Sequence, residues 1–267
     1  MKESERIEHE RQMSRQPIEA GYLPTLEDYL FRYGATPEIL EYTLPRIKGR
    51  LYDFLEIEDG DEILEVGCGS GCFAVDIAKK HDIKVWATDI SQAWLDITRK
   101  RALENSVERK IVIQKVDAEC LPFENDRFDK IVCSEVLEHI RDKRKALQEM
   151  SRVLKPKGIL ALSTPNKYNV IISNLINRLR YPFPGRPQGV SSGAYDRPLS
   201  PKELKLLLTK ADFKIENFEL NIFGPAYYSQ FSKIPLIEYF LKAAKILEKT
   251  PLKIFNRQIV VKARKIK

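Results

Sequence analysis

Long apolar runs are missing from this 267-residue sequence, and so is every metal-binding spacing of cysteines. No stretch approaches the ~18 to 20 consecutive apolar residues of a membrane span. The opening MKESERIEHERQ has no apolar centre of the kind that marks a signal peptide. These two absences predict a cytoplasmic protein. The four cysteines, Cys68, Cys72, Cys120 and Cys133, form no CxxC pair and have no histidine-rich neighbour, so a structural zinc site is not expected. They read as small apolar fillers. Histidine is scarcer still, with only His9, His81 and His139.

What is present describes a globular chain. Hydrophobic residues make up 43% and charged residues 31%, enough apolar material for one large core or a core with an appended subdomain. The net charge of +7 is unevenly placed: from Arg197 onward fifteen Lys or Arg face six Asp or Glu. A basic C-terminal quarter suits either a solvated face or an anionic partner. Peripheral contact with a membrane or lipid through that region therefore stays open, as does RNA; DNA is not expected.

Along the chain the texture changes twice. Residues 1–50 carry helical spacing without strand signals and read as an N-terminal helical cap. From 51 to 168, short apolar runs (DEILEVG, KVWATD, KIVIQKVDA, FDKIVCSEV, GILALSTP) alternate with amphipathic stretches such as SQAWLDITRKRALEN and DKRKALQEMSRVLKP. Parallel strands need crossovers, and crossovers cover both faces of the sheet, so the predicted fold class is α/β, doubly wound around a mostly parallel sheet. Residues 169–199, with clustered proline and glycine, read as a lid or substrate insertion. In 200–267, SPKELKLLLTKADF begins as a capped helix with Ser200 as N-cap and Glu203 as its capping-box partner. KIENFELNIF and RQIVVKARK read as closing strands, separated by the basic amphipathic IPLIEYFLKAAKILEKTPL.

ILEVGCGSGC, Ile63 to Cys72, places three glycines in five positions behind an apolar run. In a doubly wound sheet the first strand-to-helix turn meets the ligand, and missing Cβ atoms allow close approach. The spacing differs from the GxGxxG of dinucleotide enzymes, since Cys72 stands where the third glycine belongs. Glu65 sits two places before Gly67, where a carboxylate would repel a pyrophosphate and tolerate a cation. A positively charged ligand is expected.

LEVGCGSG resembles the cofactor loop of class I S-adenosylmethionine-dependent methyltransferases, in particular the ubiquinone-biosynthesis O-methyltransferase-like branch. Three more segments resemble that family in the same order: VWATDIS, VDAECLPF, and FDKIVCSEVLEHI with LKPKGILALSTPN behind it. The resemblance covers roughly 51–166. It implies a seven-stranded Rossmann-like sheet, S-adenosyl-L-methionine as cofactor, and methyl transfer to a small acceptor. It also implies cofactor contacts from Glu65, Gly67, Cys68, Gly69 and Gly71, from Asp89 and Ile90 at the ribose, from Asp117 and Ala118 at the adenine edge, and from Ser134 and Glu135.

In SEVLEHI, Glu135, Glu138 and His139 stand at i, i+3 and i+4, which one α-helical turn places on a single face. Two carboxylates and an imidazole suit Mg2+, and the cluster resembles the metal site of ubiquinone-biosynthesis O-methyltransferases. The same residues also read as a metal-free arrangement in which His139, with Glu138, serves as the base for an oxygen acceptor. STPN resembles the substrate-side segment of small-molecule methyltransferases, which makes Asn166 a substrate candidate, along with Tyr195 and Arg197 in YDRPLS. Apolar and aromatic residues in the flanking segments favour a lipophilic or aromatic acceptor. RNA or protein methylation is the enzymatic alternative, weakened because no histidine follows His139 and no N/D-P-P-Y signature follows the fourth strand. A cofactor-binding scaffold without turnover is the alternative of another class.

Overall fold

The computed structural model describes residues 37–171, 197–221 and 250–267, with side chains from residue 46 onward. The chain enters through α1 (Pro37–Leu55) and then alternates through β1 (Glu62–Val66), α2 (Cys72–Lys80), β2 (Lys84–Asp89), α3 (Gln92–Glu104) and β3 (Ile111–Lys115). It continues with β4 (Phe128–Ser134), α4 (Lys143–Val153) and β5 (Leu154–Pro165). The C-terminal part supplies α5 (Pro201–Lys210), β6 (Phe213–Asn221) and β7 (Gln258–Lys265).

The seven strands form one sheet in the order β3-β2-β1-β4-β5-β7-β6. The first five in that order are mutually parallel, while β7 runs antiparallel to both β5 and β6. The two closing strands thus pair as expected, with β7 inserted beside β5. Its reversed direction has a consequence for the site. The first residue of β7, Gln258, lies opposite Pro165, at the same edge as the carboxyl ends of the parallel strands.

Strand parity sorts the core into two layers. Ile63, Val85, Val132, Ala161 and Val260 face α1, α2 and α3 in one buried cluster. Leu64, Ile131, Leu160, Leu162 and Val261 face α4 and α5 in the other. Local chemistry starts the helices: Asp142 accepts the Lys145 N–H at the head of α4, and Ser200 and Glu203 close the capping box of α5.

Two expectations about boundaries are corrected. The division at residue 50 falls inside α1, because Leu51, Phe54 and Leu55 continue its apolar stripe into the core. The helical reading of DKRKALQEMSRVLKP ends at Val153, because Leu154 pairs with Phe128 and already belongs to β5. The basic residues of β7 are met by acids from elsewhere: Lys262 by Glu56 and Glu216, Arg264 by Glu216, and Lys265 by Asp126. Part of the C-terminal basic excess is therefore balanced within the fold. Residues 1–36, the stretch 172–196, which holds most of the expected lid at 169–199, and the stretch 222–249, which holds most of the amphipathic insertion, lie outside the described residues. No helix among the described residues is long and apolar enough to cross a membrane.

Candidate cofactor and active site

The glycine turn leaves β1 with three left-handed residues, Gly67 at φ 72°, Gly69 at 51° and Gly71 at 71°. They serve different purposes. A Cβ on Gly67 would stand 2.3 Å from Val136 Cγ2, and one on Gly71 would stand 2.6 Å from Thr98 Cγ2. The outer glycines are therefore required by the protein's own packing. A Cβ on Gly69 would have no heavy atom within 4 Å, so the middle glycine opens onto free space at the carboxyl edge of the sheet.

Two residues expected at the cofactor support this turn from beneath. Glu65 follows the parity of Ile63 and points toward α2, where its Oε2 accepts the Ala74 N–H at 3.1 Å. The N-cap, Gly71, has no side chain, and Glu65 takes over its role from the strand. Burial pushes this carboxyl up to about 8. Cys68 gives its N–H to the Thr88 carbonyl at 2.8 Å and accepts the Gly71 N–H at 2.9 Å. Its thiol packs in the α1–α3 layer, 3.7 Å from Thr98 Oγ1, and burial holds it protonated. The side chains of both face the core because an odd strand position and a buried turn residue have nowhere else to go.

Asp89 stands at the end of β2. Its Oδ2 accepts the Gly69 N–H at 3.0 Å and its Oδ1 the Ser91 N–H at 2.9 Å. A carboxylate has about four lone-pair positions, so these bonds orient Asp89 and leave capacity for a diol. Ile90 is half-buried next to it. Beyond β3, Asp117 Oδ1 accepts the Glu119 N–H at 2.9 Å, and Ala118 packs partly buried against the core. The donor set fits S-adenosylmethionine: an open cradle over Gly69, an oriented carboxylate for ribose hydroxyls, and a second loop beside them for a base.

The turn after β4 holds the other chemistry. Ser134 ends the strand, Glu135 adopts φ 57°, and Leu137–His139 form a single 3-10 turn. Glu135 is held at both oxygens: Ser163 Oγ donates to Oε1 and Gln258 Nε2 to Oε2, each at 2.8 Å. Ser134 Oγ lies 3.0 Å from Ser163 Oγ. Burial pushes the Glu135 carboxyl upward, against these two bonds. Glu138, buried, accepts the Thr164 hydroxyl at 3.1 Å. Burial first, and the neighbouring Glu135 second, push Glu138 up to about 8. His139 is 45% exposed, with Nε2 3.8 Å from Glu138 Oε1.

The expected α-helical stacking of Glu135, Glu138 and His139 is not found. With a left-handed Glu135 followed by a 3-10 turn, Glu135 bonds Ser163 and Gln258, Glu138 bonds Thr164, and His139 lies 3.8 Å from Glu138. Among the described residues no group of three or more His, Cys, Asp or Glu is arranged to hold a metal ion. In this arrangement the three groups do not form a Mg2+ site.

Asn166 is also corrected. It is fully buried, its Nδ2 donates to the carbonyls of Ile254 and Asn256 at 2.8 Å each, and its Oδ1 accepts the Tyr168 N–H at 3.1 Å. With both amide protons committed, it pins the segment before β7 to the end of β5. Arg197 is exposed, and its N–H donates to the Glu138 carbonyl at 3.1 Å, which brings it to the turn after β4. Tyr195 lies outside the described residues. Sequence reasoning missed Thr98, Val136, Thr164 and Gln258; Gln258 meets Glu135 across 123 positions, and no local pattern marks it.

Sheet order, glycine turn and acidic strand ends together define the class I methyltransferase fold. Residues 64–162 match the family described as methyltransferase domain, and this match together with the curated relatives supports a class I S-adenosylmethionine-dependent methyltransferase. It is 33% identical over 123 residues to a 27-O-demethylrifamycin SV methyltransferase of Amycolatopsis mediterranei, covering 46% of this chain and 45% of the relative. It is 30% identical over 170 residues to a ubiquinone biosynthesis O-methyltransferase of Alkalilimnicola ehrlichii, covering 62% and 66%. The match spans less than half the length of the first curated relatives. Among solved structures, one described as the [4+2]-cyclase SpnF superposes with a TM-score of 0.60 at 20% identity, covering 84% of this chain and 81% of that one. That likeness concerns the fold alone.

Proposed function

We propose that the protein transfers the methyl group of S-adenosylmethionine to a small acceptor, at oxygen, with an apolar or aromatic acceptor favoured. The observation that carries this reading is the contact between Gly67 and Val136. The glycine turn that would hold the cofactor leans directly on the turn that bears Glu135, Glu138 and His139. When bound, S-adenosylmethionine supplies an electrophilic methyl group on a sulfonium. This chain's residues hold it through Gly69 and Asp89, exclude water around it, and take up the proton that an acceptor hydroxyl gives away.

His139 is the exposed base of this arrangement, and Glu138 stands behind it. Burial favours the neutral form of Glu138, and an imidazolium 3.8 Å away favours the ionised form. Protonation of His139 and ionisation of Glu138 therefore support one another. Arg197, exposed and bonded through its N–H to the Glu138 carbonyl, is the residue proposed to meet the acceptor. The test is calorimetric titration with S-adenosylmethionine and, separately, NAD, followed by labelled-methyl transfer to phenols and hydroxylated isoprenoids. Saturable binding of S-adenosylmethionine alone, with label recovered in an ether product that His139→Ala fails to form, is expected. Binding of NAD, or binding of S-adenosylmethionine with transfer only to RNA or to no acceptor, would overturn the reading.

A further inference from the structure

Thr98 sits in the middle of α3, fully buried and 29 positions away from the peptide it touches. Its Oγ1 donates to the Gly69 carbonyl at 2.8 Å. A hydroxyl has one proton, so toward Cys68 Sγ, 3.7 Å away, it acts as acceptor for the thiol that burial keeps protonated. Its Cγ2 fills the space beside Gly71. One side chain thus touches Cys68, Gly69 and Gly71. One turn further along α3, Arg101 reaches Ser70 Oγ and Cys72 Sγ, so the exposed face of the turn is gripped by the same helix.

We propose that Thr98 is a positioning residue for the cofactor, holding the Gly69 peptide in the orientation that binding requires. This rests on the reading that the glycine turn binds S-adenosylmethionine. Gly69 is clamped from both sides: its N–H is held by Asp89 Oδ2 and its C=O by Thr98 Oγ1. Asp89 is in turn tied through Oδ1 to Ser91, the N-cap residue of α3. Asp89, Gly69 and Thr98 therefore close a loop through α3, and the ribose carboxylate and the cradle cannot shift independently. A left-handed peptide with open space beside it has few contacts to fix its plane. Without the hydroxyl, the Gly69 carbonyl keeps only the weak Cys68 thiol at 3.8 Å as donor, and the peptide is freer to rotate away from Asp89.

The hydroxyl and the methyl of Thr98 are separated by two paired comparisons, Thr against Thr98→Val and Thr98→Ser against Thr98→Ala. Each pair deletes the hydroxyl in a different packing context. Loss of one buried hydrogen bond predicts that S-adenosylmethionine affinity falls about tenfold within each pair. Thr98→Ser should stay within about threefold of the parent. The KM for S-adenosylmethionine should rise with kcat at saturation within about twofold, and the ratio of affinities for S-adenosylmethionine and S-adenosylhomocysteine should not move, because the fully buried Thr98 acts through the Gly69 peptide that both ligands would meet. Amide exchange of residues 68–72 in the cofactor-free full chain should accelerate in both hydroxyl-deleted variants. The proposal is overturned if affinity follows the methyl instead, with Thr98→Ser as weak as Thr98→Ala, or if exchange in the turn is unchanged. Parent protein that fails to bind S-adenosylmethionine would instead refute the functional reading, whatever the exchange shows. Should Thr98→Val not fold, the Ser and Ala pair decides alone.

Discussion

The two sides of the carboxyl edge are built differently. On the β1–β2 side, Asp89 is held by the backbone N–H groups of Gly69 and Ser91, and the Gly69 carbonyl by the Thr98 hydroxyl, all within 29 residues in sequence. On the β4–β5–β7 side, Glu135 and Glu138 are fixed by side chains, Ser163, Thr164 and Gln258, from strands distant in sequence. A carboxylate held by backbone N–H groups and partly open to water stays ready for a diol. Carboxyls buried beside each other are driven toward the neutral form, ready to exchange protons. One side is suited to binding and the other to proton chemistry.

The largest effect expected from this contrast is on stability as a function of pH. Glu138 on one side and Glu65 beneath the other titrate at about 8 when folded, against ~4.3 for an ordinary glutamate. The folded chain therefore keeps protons that the unfolded chain releases. Their contribution is complete below about pH 4 and declines as the pH rises, and the loss is complete above about 8, a change on the order of several kcal/mol. Denaturant midpoints measured from pH 5 to 9 should fall, and Glu138→Gln and Glu65→Gln should each flatten the curve. A flat wild-type profile would show that these carboxyls ionise normally.

Next comes Gly67→Ala, which forces a Cβ into Val136 at a left-handed residue and so strikes the seam between the two sides. It should cost about 3 kcal/mol of stability and abolish measurable cofactor binding. Gly69→Ala, with open space beside it, should cost only about 1 kcal/mol by thermal melting; equal losses would mean the two glycines are equivalent after all. Asn166→Ala should lower stability by about 2 kcal/mol, since it removes the amide that bonds the buried Asn256 carbonyl and the carbonyl of the more exposed Ile254. The KM for the acceptor should be unchanged, and a change in it would restore Asn166 to the substrate side. Asp89→Ala acts on binding rather than on stability, and is expected to weaken S-adenosylmethionine about tenfold in titration calorimetry. Undiminished affinity would remove Asp89 from the cofactor site.

Much of the binding side was legible before any coordinates. The turn's glycines, Asp89 and the strand that each follows are neighbours in sequence, and local periodicity located β1, β2, β4 and the capped α5. The catalytic turn was legible as a set of residues and not as a geometry. The i, i+3, i+4 spacing suggested an α-helical face, whereas Glu135 adopts a left-handed conformation and a 3-10 turn follows. Asn166 looked like a substrate ligand because its segment resembles one, and its amide is instead consumed by carbonyls near residue 255, far along the chain.

Composition, strand and helix periods and the glycine spacing determined by themselves that this is a doubly wound α/β chain with a cofactor turn behind its first strand, because those features depend on contacts within about thirty residues. Only the tertiary structure decided which glycine opens onto the cradle, that Glu65 caps α2 and Asn166 pins the segment before β7, and that Thr98 reaches Gly69 and Gln258 reaches Glu135. The physical reason is that strand order places β7 beside β5 and α3 against the turn. A side chain's partner is then set by packing across the sheet, which no local pattern records.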